Sequence, residues 1–175
     1  FDRAAMLRQL RPELPQLQHL LVVGGTGAES FAAALTEPAW EEAEDAAAIL
    51  ALQHLAFQSE ARLYNDWSIP PLTETLAASL ADWDTHTVLK AVDAEGRIIG
   101  SVRARVQDGE CAIARLIVHP QSQGQGLGAA LLQAIEAQAA GVRRFTLFTG
   151  ARSEGNIRLY QRHGYRIVGT EAVSP

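Results

Sequence analysis

Residues 117–132, with the sequence IVHPQSQGQGLGAALL, decide the fold of this chain. They read as the end of an apolar strand, a polar loop with glycines at positions 124, 126 and 128, and the start of an amphipathic helix. Glycine lets the main chain approach a ligand closely, and a helix N-terminus presents unpaired N–H groups, so the stretch predicts a phosphate or pyrophosphate site. A glycine-rich connection without a ligand is the alternative that the loop alone leaves open.

The composition is that of an ordinary globular protein and excludes several function classes. The chain has 175 residues, 47% hydrophobic and 20% charged, which suits one domain, or one domain with an appendage. A net charge of −5 argues against a nucleic-acid partner, and no apolar run approaches the roughly 18 residues of a membrane span. Because Cys111 is the single cysteine and no signal peptide is recognised, we expect a cytoplasmic protein.

The order of predicted elements indicates the fold class. The apolar pattern predicts a helix over residues 46–64, which Asp45 can cap, and a second helix that Thr73 or Thr75 starts and that includes Trp83. Strands and helices then follow over residues 87–92, 97–106, 111–118, the glycine-loop helix, 144–149, 156–163 and 165–168. We therefore expect an α/β (α+β) fold with a mixed, mostly antiparallel central sheet flanked by helices.

A dinucleotide site is an alternative for the glycine loop, because Gly124-x-Gly126-x-x-Ala129 fits the looser dinucleotide fingerprint. Its context argues against that reading, since five residues separate the strand from the first glycine and no acidic residue ends the next strand. An earlier glycine turn at residues 24–27, after a predicted strand over 19–23, has Ser30 at the third glycine position. We expect a nicotinamide or flavin nucleotide at neither place.

Two motifs in order resemble the GNAT superfamily of N-acetyltransferases. Gln123-x-x-Gly126-x-Gly128 matches the family signature Arg/Gln-x-x-Gly-x-Gly/Ala and follows a strand that ends at residues 116–120, as in the family. Residues 156–165, NIRLYQRHGY, resemble the family's later helix, with an Asn, a Tyr four residues on, and a Gly-aromatic pair. The resemblance covers about residues 45–170, and we expect residues 45–175 to form a GNAT acetyltransferase domain.

The resemblance implies acetyl-CoA as the cosubstrate, bound in a cleft where two neighbouring strands part at the glycine loop. We expect no metal, because the five histidines and one cysteine show no metal-binding spacing. The pyrophosphate would lie on the loop amides, and the pantetheine arm would pair with the strand end like an added strand. The implied cofactor-binding residues are Leu116, Ile117, Val118, Gln123, Gly124, Gln125, Gly126, Leu127, Gly128, Ala129 and Asn156.

Tyr160 is the catalytic acid that the resemblance implies. In that chemistry a neutral amine attacks the thioester directly, a main-chain N–H near Val118 stabilises the carbonyl oxygen, and Tyr160 protonates the departing thiolate. The alternative is a structural tyrosine whose ring packs in the core and whose hydroxyl bonds a main-chain carbonyl.

The general base is less well defined by the sequence. Glu60, late on the first long helix, is the first choice, because that region lines the acceptor pocket in the superfamily. The alternative is a solvated carboxylate paired with Arg62 or another neighbour. A chain of waters, His119 and His86 are further candidates for the base.

The predicted function is an N-acetyltransferase acting on the primary amine of an unidentified small molecule, and the alternative is a non-catalytic acyl-CoA-binding module. Residues 2–41 resemble an internal piece of the acyl-adenylate-forming ligases, but forty residues cannot hold that active site. We therefore expect residues 1–44 to be an appendage without activity of its own. Residues 19–23 would supply a strand or an oligomer contact, so a homodimer is an arrangement that the sequence allows.

Overall fold

The computed structural model describes residues 19–23 and 42–171. The glycine turn predicted at residues 24–27 and most of the ligase-like stretch lie outside the described residues. In chain order the described elements are β1 (His19–Val23), α1 (Glu42–Tyr64), α2 (Pro70–Thr73), α3 (Leu76–Trp83), β2 (Thr87–Val92), β3 (Ile98–Gln107), β4 (Glu110–Val118), α4 (Leu127–Gln138), β5 (Arg144–Leu147) and α5 (Glu154–Arg162). A short 3-10 turn, Pro120–Ser122, leads from β4 towards the glycine loop.

The described strands form one sheet in the order β1-β2-β3-β4-β5. Neighbours from β1 to β4 pair antiparallel, whereas β5 pairs parallel with β4 because α4 carries the chain back along the sheet. The strand predicted over residues 19–23 is confirmed as β1, which pairs with β2 from His19↔Val92 to Val23↔Val88. The expected mixed, mostly antiparallel sheet flanked by helices is confirmed.

Helices cover both faces of the sheet, because successive strand residues point to opposite sides. On one face, α4 packs in a cluster that includes Leu89, Val102 and Leu131, all fully buried. On the other face, α1 and α3 contribute to a cluster that contains Val88 and Trp83. Each fully buried leucine contributes roughly 1.5–3 kcal/mol, so the buried side of α4 fixes that helix, and with it the glycine loop, against the sheet.

Strand β4 contains a β-bulge within the segment that pairs with β3. The register shifts between Ser101 and Arg103, so that two steps along β3 face three along β4. Within the bulge, Arg115 has a φ of 50°, in the left-handed region that non-glycine residues rarely adopt. The parallel pairing of β4 with β5 ends at Ile113, just before the bulge. From that point β4 and β5 part.

A buried ion cluster supports the bulge. Glu74, between α2 and α3, has 7% of its side chain exposed, and its carboxylate accepts hydrogen bonds from Arg103 at 2.8 and 3.0 Å and from Arg115 at 3.0 and 3.1 Å. Gln53 of α1 donates to the same carboxylate at 3.2 Å. Burial raises the pKa of Glu74, but these donors outweigh burial and hold the pKa below its ordinary value. The cluster therefore ties the helices to the bulge.

Several predicted element ends differ from those in the structure. Asp45 lies inside α1 rather than at its start, and its carboxylate accepts a hydrogen bond from Lys90 of β2 at 2.5 Å. Strand β5 ends at Leu147 rather than at residue 149. The cap expected at Thr75 is confirmed, because its Oγ1 accepts a hydrogen bond from the Ala78 N–H at 3.2 Å.

The prediction of a last strand over residues 165–168 is wrong. Gly164 follows α5 with a φ of 87°, and the chain then continues to residue 171 without pairing to a described strand. Ile167 and Val168 are 67% and 99% exposed. The apolar pattern there is not stabilised by burial or by a neighbouring strand, and these contacts decide β conformation more than intrinsic preference does.

Candidate active site

Where β4 and β5 part, the described residues enclose a cleft of about 760 Å³. Its walls are the second half of α1, the end of β4, the glycine loop with the first turn of α4, and α5 with the turn before it. The predicted site residues that line this cleft are Glu60, Leu116, Ile117, Val118, Gln123, Gly124, Gly126, Gly128, Ala129, Asn156 and Tyr160. The fold thus brings together residues that are far apart in the chain.

The end of β4 offers a main-chain donor to the cleft. Residues in an antiparallel ladder alternate between hydrogen-bonded and non-hydrogen-bonded pairs. The His119 N–H donates to the Ile99 carbonyl of β3 at 2.8 Å, so the N–H of Val118 points to the opposite edge of β4. That edge is the one from which β5 has departed, and the Val118 N–H therefore faces the cleft.

The first turn of α4 has no side-chain cap. Gly126, its N-cap residue, has a φ of 85°, and no acidic residue lies in the first turn. A side chain would be strained at this φ, which explains the glycine. Because neither a cap nor a carboxylate neutralises the helix end, its N–H groups and positive dipole end remain available to an anion. These features fit a pyrophosphate.

Two glutamines of the loop hydrogen-bond the main chain around them. Gln123 Nε2 donates to the Val118 carbonyl at 3.2 Å, and Gln125 Nε2 donates to the Gln121 carbonyl at 3.2 Å. Gln125 and Leu127 are not among the residues that line the cleft. The Leu127 side chain is 5% exposed and packs in the core under α4, so only main-chain groups of Leu127 remain as candidates for ligand binding.

Tyr160 combines a packed ring with a hydroxyl that has no fixed partner. Its ring packs against the core under α4 and lies edge-on to Tyr165, with the ring centroids 5.9 Å apart. Within residues 19–23 and 42–171 its hydroxyl makes no hydrogen bond, so it is not tied to a main-chain carbonyl. Burial, and after it the charge of Glu60, raises the pKa of Tyr160 to about 12. The phenol is therefore protonated at neutral pH.

Glu60 is tied to the turn before α5 rather than to its own helix. Its Oε1 accepts a hydrogen bond from the Ser153 hydroxyl. The alternative pairing with Arg62 is not formed, and the Arg62 guanidinium donates to Gln58 at 3.1 Å instead. The Glu60 side chain is partly buried, and its charge contributes to the raised pKa of Tyr160, so the predicted base influences the predicted acid.

The turn before α5 packs against α1 through Gly150. A Cβ on Gly150 would lie 2.7 Å from the Tyr64 hydroxyl and 2.8 Å from Ser153 Oγ, and it would overlap Glu60, so a side chain here would displace these groups. The Tyr64 hydroxyl accepts a hydrogen bond from the Arg152 N–H at 2.6 Å, and the Arg152 guanidinium lies 5.3 Å from the Tyr64 ring centre. Contacts at Gly150, Arg152 and Ser153 therefore fix this turn.

Sequence reasoning missed Ser153, Arg152 and His163, which also line the cleft. Ser153 is 7% exposed and stands at the N-cap position of α5. A serine there normally caps the helix, but this one donates to Glu60 instead and makes no cap hydrogen bond. The sequence therefore indicates Ser153 as a helix cap, but nothing in it indicates that Ser153 contacts Glu60 on α1.

The two histidines considered as bases have structural partners. His119 Nδ1 accepts a hydrogen bond from the Gln121 N–H at 3.3 Å and caps the 3-10 turn. His86 Nδ1 lies 2.9 Å from the Asp82 carbonyl oxygen, and His86 does not line the cleft. Neither geometry presents a histidine to the place where β4 and β5 part.

The single cysteine lies outside the cleft. Cys111 is fully buried in the sheet, and burial, followed by the charge of Glu136, raises the pKa of its thiol to about 11. Among the residues that the structure describes, no three His, Cys, Asp or Glu side chains are grouped to hold a metal ion. No helix in the same part of the chain is long and apolar enough to cross a membrane.

A mixed sheet whose neighbouring strands part beside a glycine loop defines an acyltransferase type of fold. The profile of the acetyltransferase (GNAT) family matches residues 46–165, and the chain belongs to that family. Its class of reaction is therefore acyl transfer from an acyl-CoA donor, and the predicted GNAT resemblance over about residues 45–170 is confirmed.

Solved structures similar to this chain agree on the fold. PaiA N-acetyltransferase from Thermoplasma acidophilum, in complex with coenzyme A, has a TM-score of 0.66 at 12% identity, covering 88% of this chain and 94% of its own. An aminoglycoside acetyltransferase from an uncultured soil metagenomic sample has a TM-score of 0.57 at 18% identity, covering 90% and 97%. A Trypanosoma brucei acetyltransferase has a TM-score of 0.56 at 19% identity, covering 90% and 98%.

No curated protein sequence matches this chain. The resemblance of residues 2–41 to adenylate-forming ligases finds no support, because the family match begins at residue 46. Of that stretch the structure describes only β1, which serves as an edge strand of the acetyltransferase sheet.

Proposed function

We propose that this protein is an N-acetyltransferase that moves the acetyl group of acetyl-CoA to the primary amine of a small molecule by direct attack. The proposal is carried by one cleft in which an uncapped helix N-terminus, a free strand edge and a protonated phenol meet. These three features suit three parts of acetyl-CoA, which are the pyrophosphate, the amide-bearing pantetheine arm and the sulfur.

Main-chain groups do most of the proposed donor binding. The N–H groups between Gln123 and Ala129 bind the pyrophosphate, and the edge of β4 from Leu116 to Val118 pairs with the pantetheine amides. Asn156, exposed near the start of α5, adds a side-chain contact. The similar fold of a PaiA N-acetyltransferase in complex with coenzyme A supports this use of the cleft.

The Val118 N–H is the proposed stabiliser of the carbonyl oxygen. Negative charge grows on that oxygen as the amine attacks the thioester carbon, and a fixed N–H donor lowers the free energy of the transition state. The orientation of the Val118 N–H follows from the ladder between β3 and β4. This N–H group therefore needs no reorientation when the acceptor binds.

Glu60 is the proposed general base. The acceptor amine enters as an ammonium ion and passes one proton to Glu60, directly or through one water, before its nitrogen attacks. The nitrogen loses a second proton as the amide forms, and the departing sulfur gains one. The products are the amide and free coenzyme A, with one proton released to solvent for each acetyl group transferred.

Tyr160 is the proposed hydrogen-bond donor to the departing sulfur. Its pKa is about 12, whereas a thiol has a pKa of about 8.5, so complete transfer of the phenol proton to a thiolate costs roughly 5 kcal/mol. A donated hydrogen bond avoids that cost and still stabilises the charge that develops on sulfur. The proton that finally reaches the thiolate then comes from solvent.

The Tyr160→Phe variant tests this role. We expect kcat to fall about 100-fold, the lower end for loss of one preorganised hydrogen-bond donor, while the affinity for acetyl-CoA measured by calorimetry stays unchanged. Tyr165→Phe is the matched control, because the Tyr165 hydroxyl donates to Glu136 at 2.7 Å and does not line the cleft. An unchanged kcat in Tyr160→Phe removes Tyr160 from the mechanism.

A non-catalytic acyl-CoA-binding module is the rival function. It is favoured by the main-chain groups of the glycine loop and of the β4 edge, which can bind an acyl-CoA without any catalytic side chain. Thiol release from acetyl-CoA, followed with a panel of amines, separates the two functions. Turnover above the rate without amine supports the transferase. Calorimetric binding of acetyl-CoA without turnover on any amine supports the module instead.

A further inference from the structure

One part of the cleft wall that lies outside the proposed acetyl-CoA site is a stripe of residues on α1. Five residues of α1 line the cleft, which are Ala56, Phe57, Ser59, Glu60 and Leu63. Four of them follow the i, i+3, i+4, i+7 spacing of one helix face. Three of the five side chains are apolar, and a single carboxylate lies among them. This wall is therefore apolar with one negative charge.

The negative charge on this wall has a fixed position. Ser153 donates to Glu60 Oε1, and the pair lies close to the main chain at Gly150, where an added Cβ would be 2.8 Å from Ser153 Oγ. Within the described part of the chain, Glu60 Oε2 has no hydrogen-bond partner. A carboxylate held at one oxygen and free at the other is suited to receive an ammonium ion.

Two charged side chains near Ser153 are engaged elsewhere. Arg162 and His163 also line the cleft, but they lie at the far end of α5, roughly 13 Å along the helix from Ser153. Glu154 is exposed and pairs with Arg158 at 3.0 Å on its own helix. The Arg152 guanidinium lies over the Tyr64 ring, whose hydroxyl accepts the Arg152 N–H. An acceptor carboxylate would have to draw Arg152 from that ring, and because Arg152 is exposed, the pair so formed would gain little in water.

We propose that the acceptor is a primary amine with an apolar body and no second charge, a deepening that rests on the proposed function. Its ammonium pairs with Glu60, which then serves as the base. Its apolar body lies against Ala56, Phe57 and Leu63. Removal of this body from water supplies binding free energy that a polar amine of the same size lacks.

Three matched acceptors test the proposal with the full chain and saturating acetyl-CoA. Phenethylamine has the apolar body, phenylalanine adds a carboxylate, and ethanolamine replaces the ring with a hydroxyl. We expect kcat/KM for phenethylamine to exceed that for each of the others at least about 10-fold, the discrimination typical of an apolar pocket. Equal or better use of phenylalanine or ethanolamine overturns the proposed acceptor class.

Two leucines of α1 provide matched variants. Leu63 lines the cleft, whereas Leu55 is 40% exposed and does not. We expect Leu63→Gln to lower kcat/KM for phenethylamine about 10-fold and to leave ethanolamine unaffected, while Leu55→Gln changes neither value. Equal behaviour of the two variants overturns the contact with Leu63.

Failure of the proposed function gives a different result from failure of the acceptor class. If the function is wrong, no amine of any class, including amino acids and aminoglycosides, raises thiol release above the rate with acetyl-CoA alone. If only the acceptor class is wrong, one of those other amines is acetylated while phenethylamine is not. Calorimetry with acetyl-CoA then reports whether the donor end of the cleft is intact.

Discussion

The two ends of the cleft are built in different ways. The loop end consists of main-chain groups, which are the N–H groups of the first turn of α4 and the free edge of β4. The α1 end consists of side chains, and the Tyr64 to Arg152 and Glu60 to Ser153 contacts join residues 88 and 93 positions apart. A main-chain site depends on a short local sequence, whereas a side-chain site depends on how distant elements pack.

This difference corresponds to the two substrates of the proposed reaction. The donor carries a pyrophosphate and amides, groups that main-chain N–H and C=O can bind whatever the side chains are. The proposed acceptor is distinguished by its charge and its apolar body, which the side chains of α1 are suited to bind. Variants that affect one end of the cleft without the other test this division. A variant of a residue that supports both ends should affect the binding of both substrates.

Glu74 is that common support, and its loss has the largest expected effect. Glu74→Ala leaves the partly buried Arg103 and Arg115 without their shared carboxylate. Because Arg103 keeps Asp82 at 3.0 Å, we expect a cost of about 3 kcal/mol, the lower end of the range for breaking a buried pair. We expect urea unfolding to show a loss of that size, and both acetyl-CoA affinity and acceptor KM to worsen. Glu95→Ala is the control, because Glu95 is 65% exposed beside Arg97 and its pair is worth less than about 1 kcal/mol.

The same cluster predicts a dependence of stability on pH. The folded protein holds the pKa of Glu74 below its ordinary value of 4.5. A lowered pKa contributes stability that is fully present above pH 4.5 and is lost as the pH falls through the folded-state value. The difference in stability between the protein and Glu74→Gln should therefore shrink below pH 4.5, and a difference that stays constant there argues against an ionised Glu74.

The contrast between the ends also explains what the sequence could predict. The loop end was predictable, because its geometry follows from a short stretch of sequence that contains glycines 124 and 126 and the start of an amphipathic helix. Thr75 was predictable as a cap for the same reason. The partner of Glu60 was not, since nothing near position 60 or position 153 encodes their contact. The strand predicted over residues 165–168 does not form, because a strand also needs a neighbouring strand to pair with. The local sequence does not show whether such a neighbour is present.

Gly126→Val tests the loop end alone. The substitution places a β-branched residue at a φ of 85°, so the loop must change shape and misplace its N–H groups. We expect the acetyl-CoA dissociation constant to rise roughly 30-fold, equivalent to about 2 kcal/mol, or one charge-assisted hydrogen bond. Acceptor discrimination should persist at saturating acetyl-CoA.

A second glycine separates strain from binding in that experiment. Gly96, in the turn between β2 and β3, has a φ of 79°, and its added Cβ would meet nothing within 4 Å. Gly96→Val should therefore lose stability to the same backbone strain while binding acetyl-CoA normally. Equal weakening of binding in both variants would show that general destabilisation, rather than the loop, sets donor affinity.

Ser153→Ala has the smallest expected effect and tests the α1 end alone. Ser153 is a positioning residue in the proposed reaction, because its hydroxyl donates a hydrogen bond to Glu60, the proposed base. We expect kcat/KM for the acceptor to fall about 10-fold, the loss expected for one hydrogen bond to a charged group, with acetyl-CoA affinity unchanged. Ser153→Thr keeps the hydroxyl and should restore most of the activity.

Ser59→Ala is the matched control, because Ser59 also lines the cleft but donates to the Ala56 carbonyl of its own helix at 3.0 Å. It should leave kcat/KM nearly unchanged. If Ser153→Ala behaves like Ser59→Ala, then α1 alone holds Glu60 in position. The α1 end would then be as local as the loop end, and the division between a main-chain donor site and a long-range acceptor site would not hold.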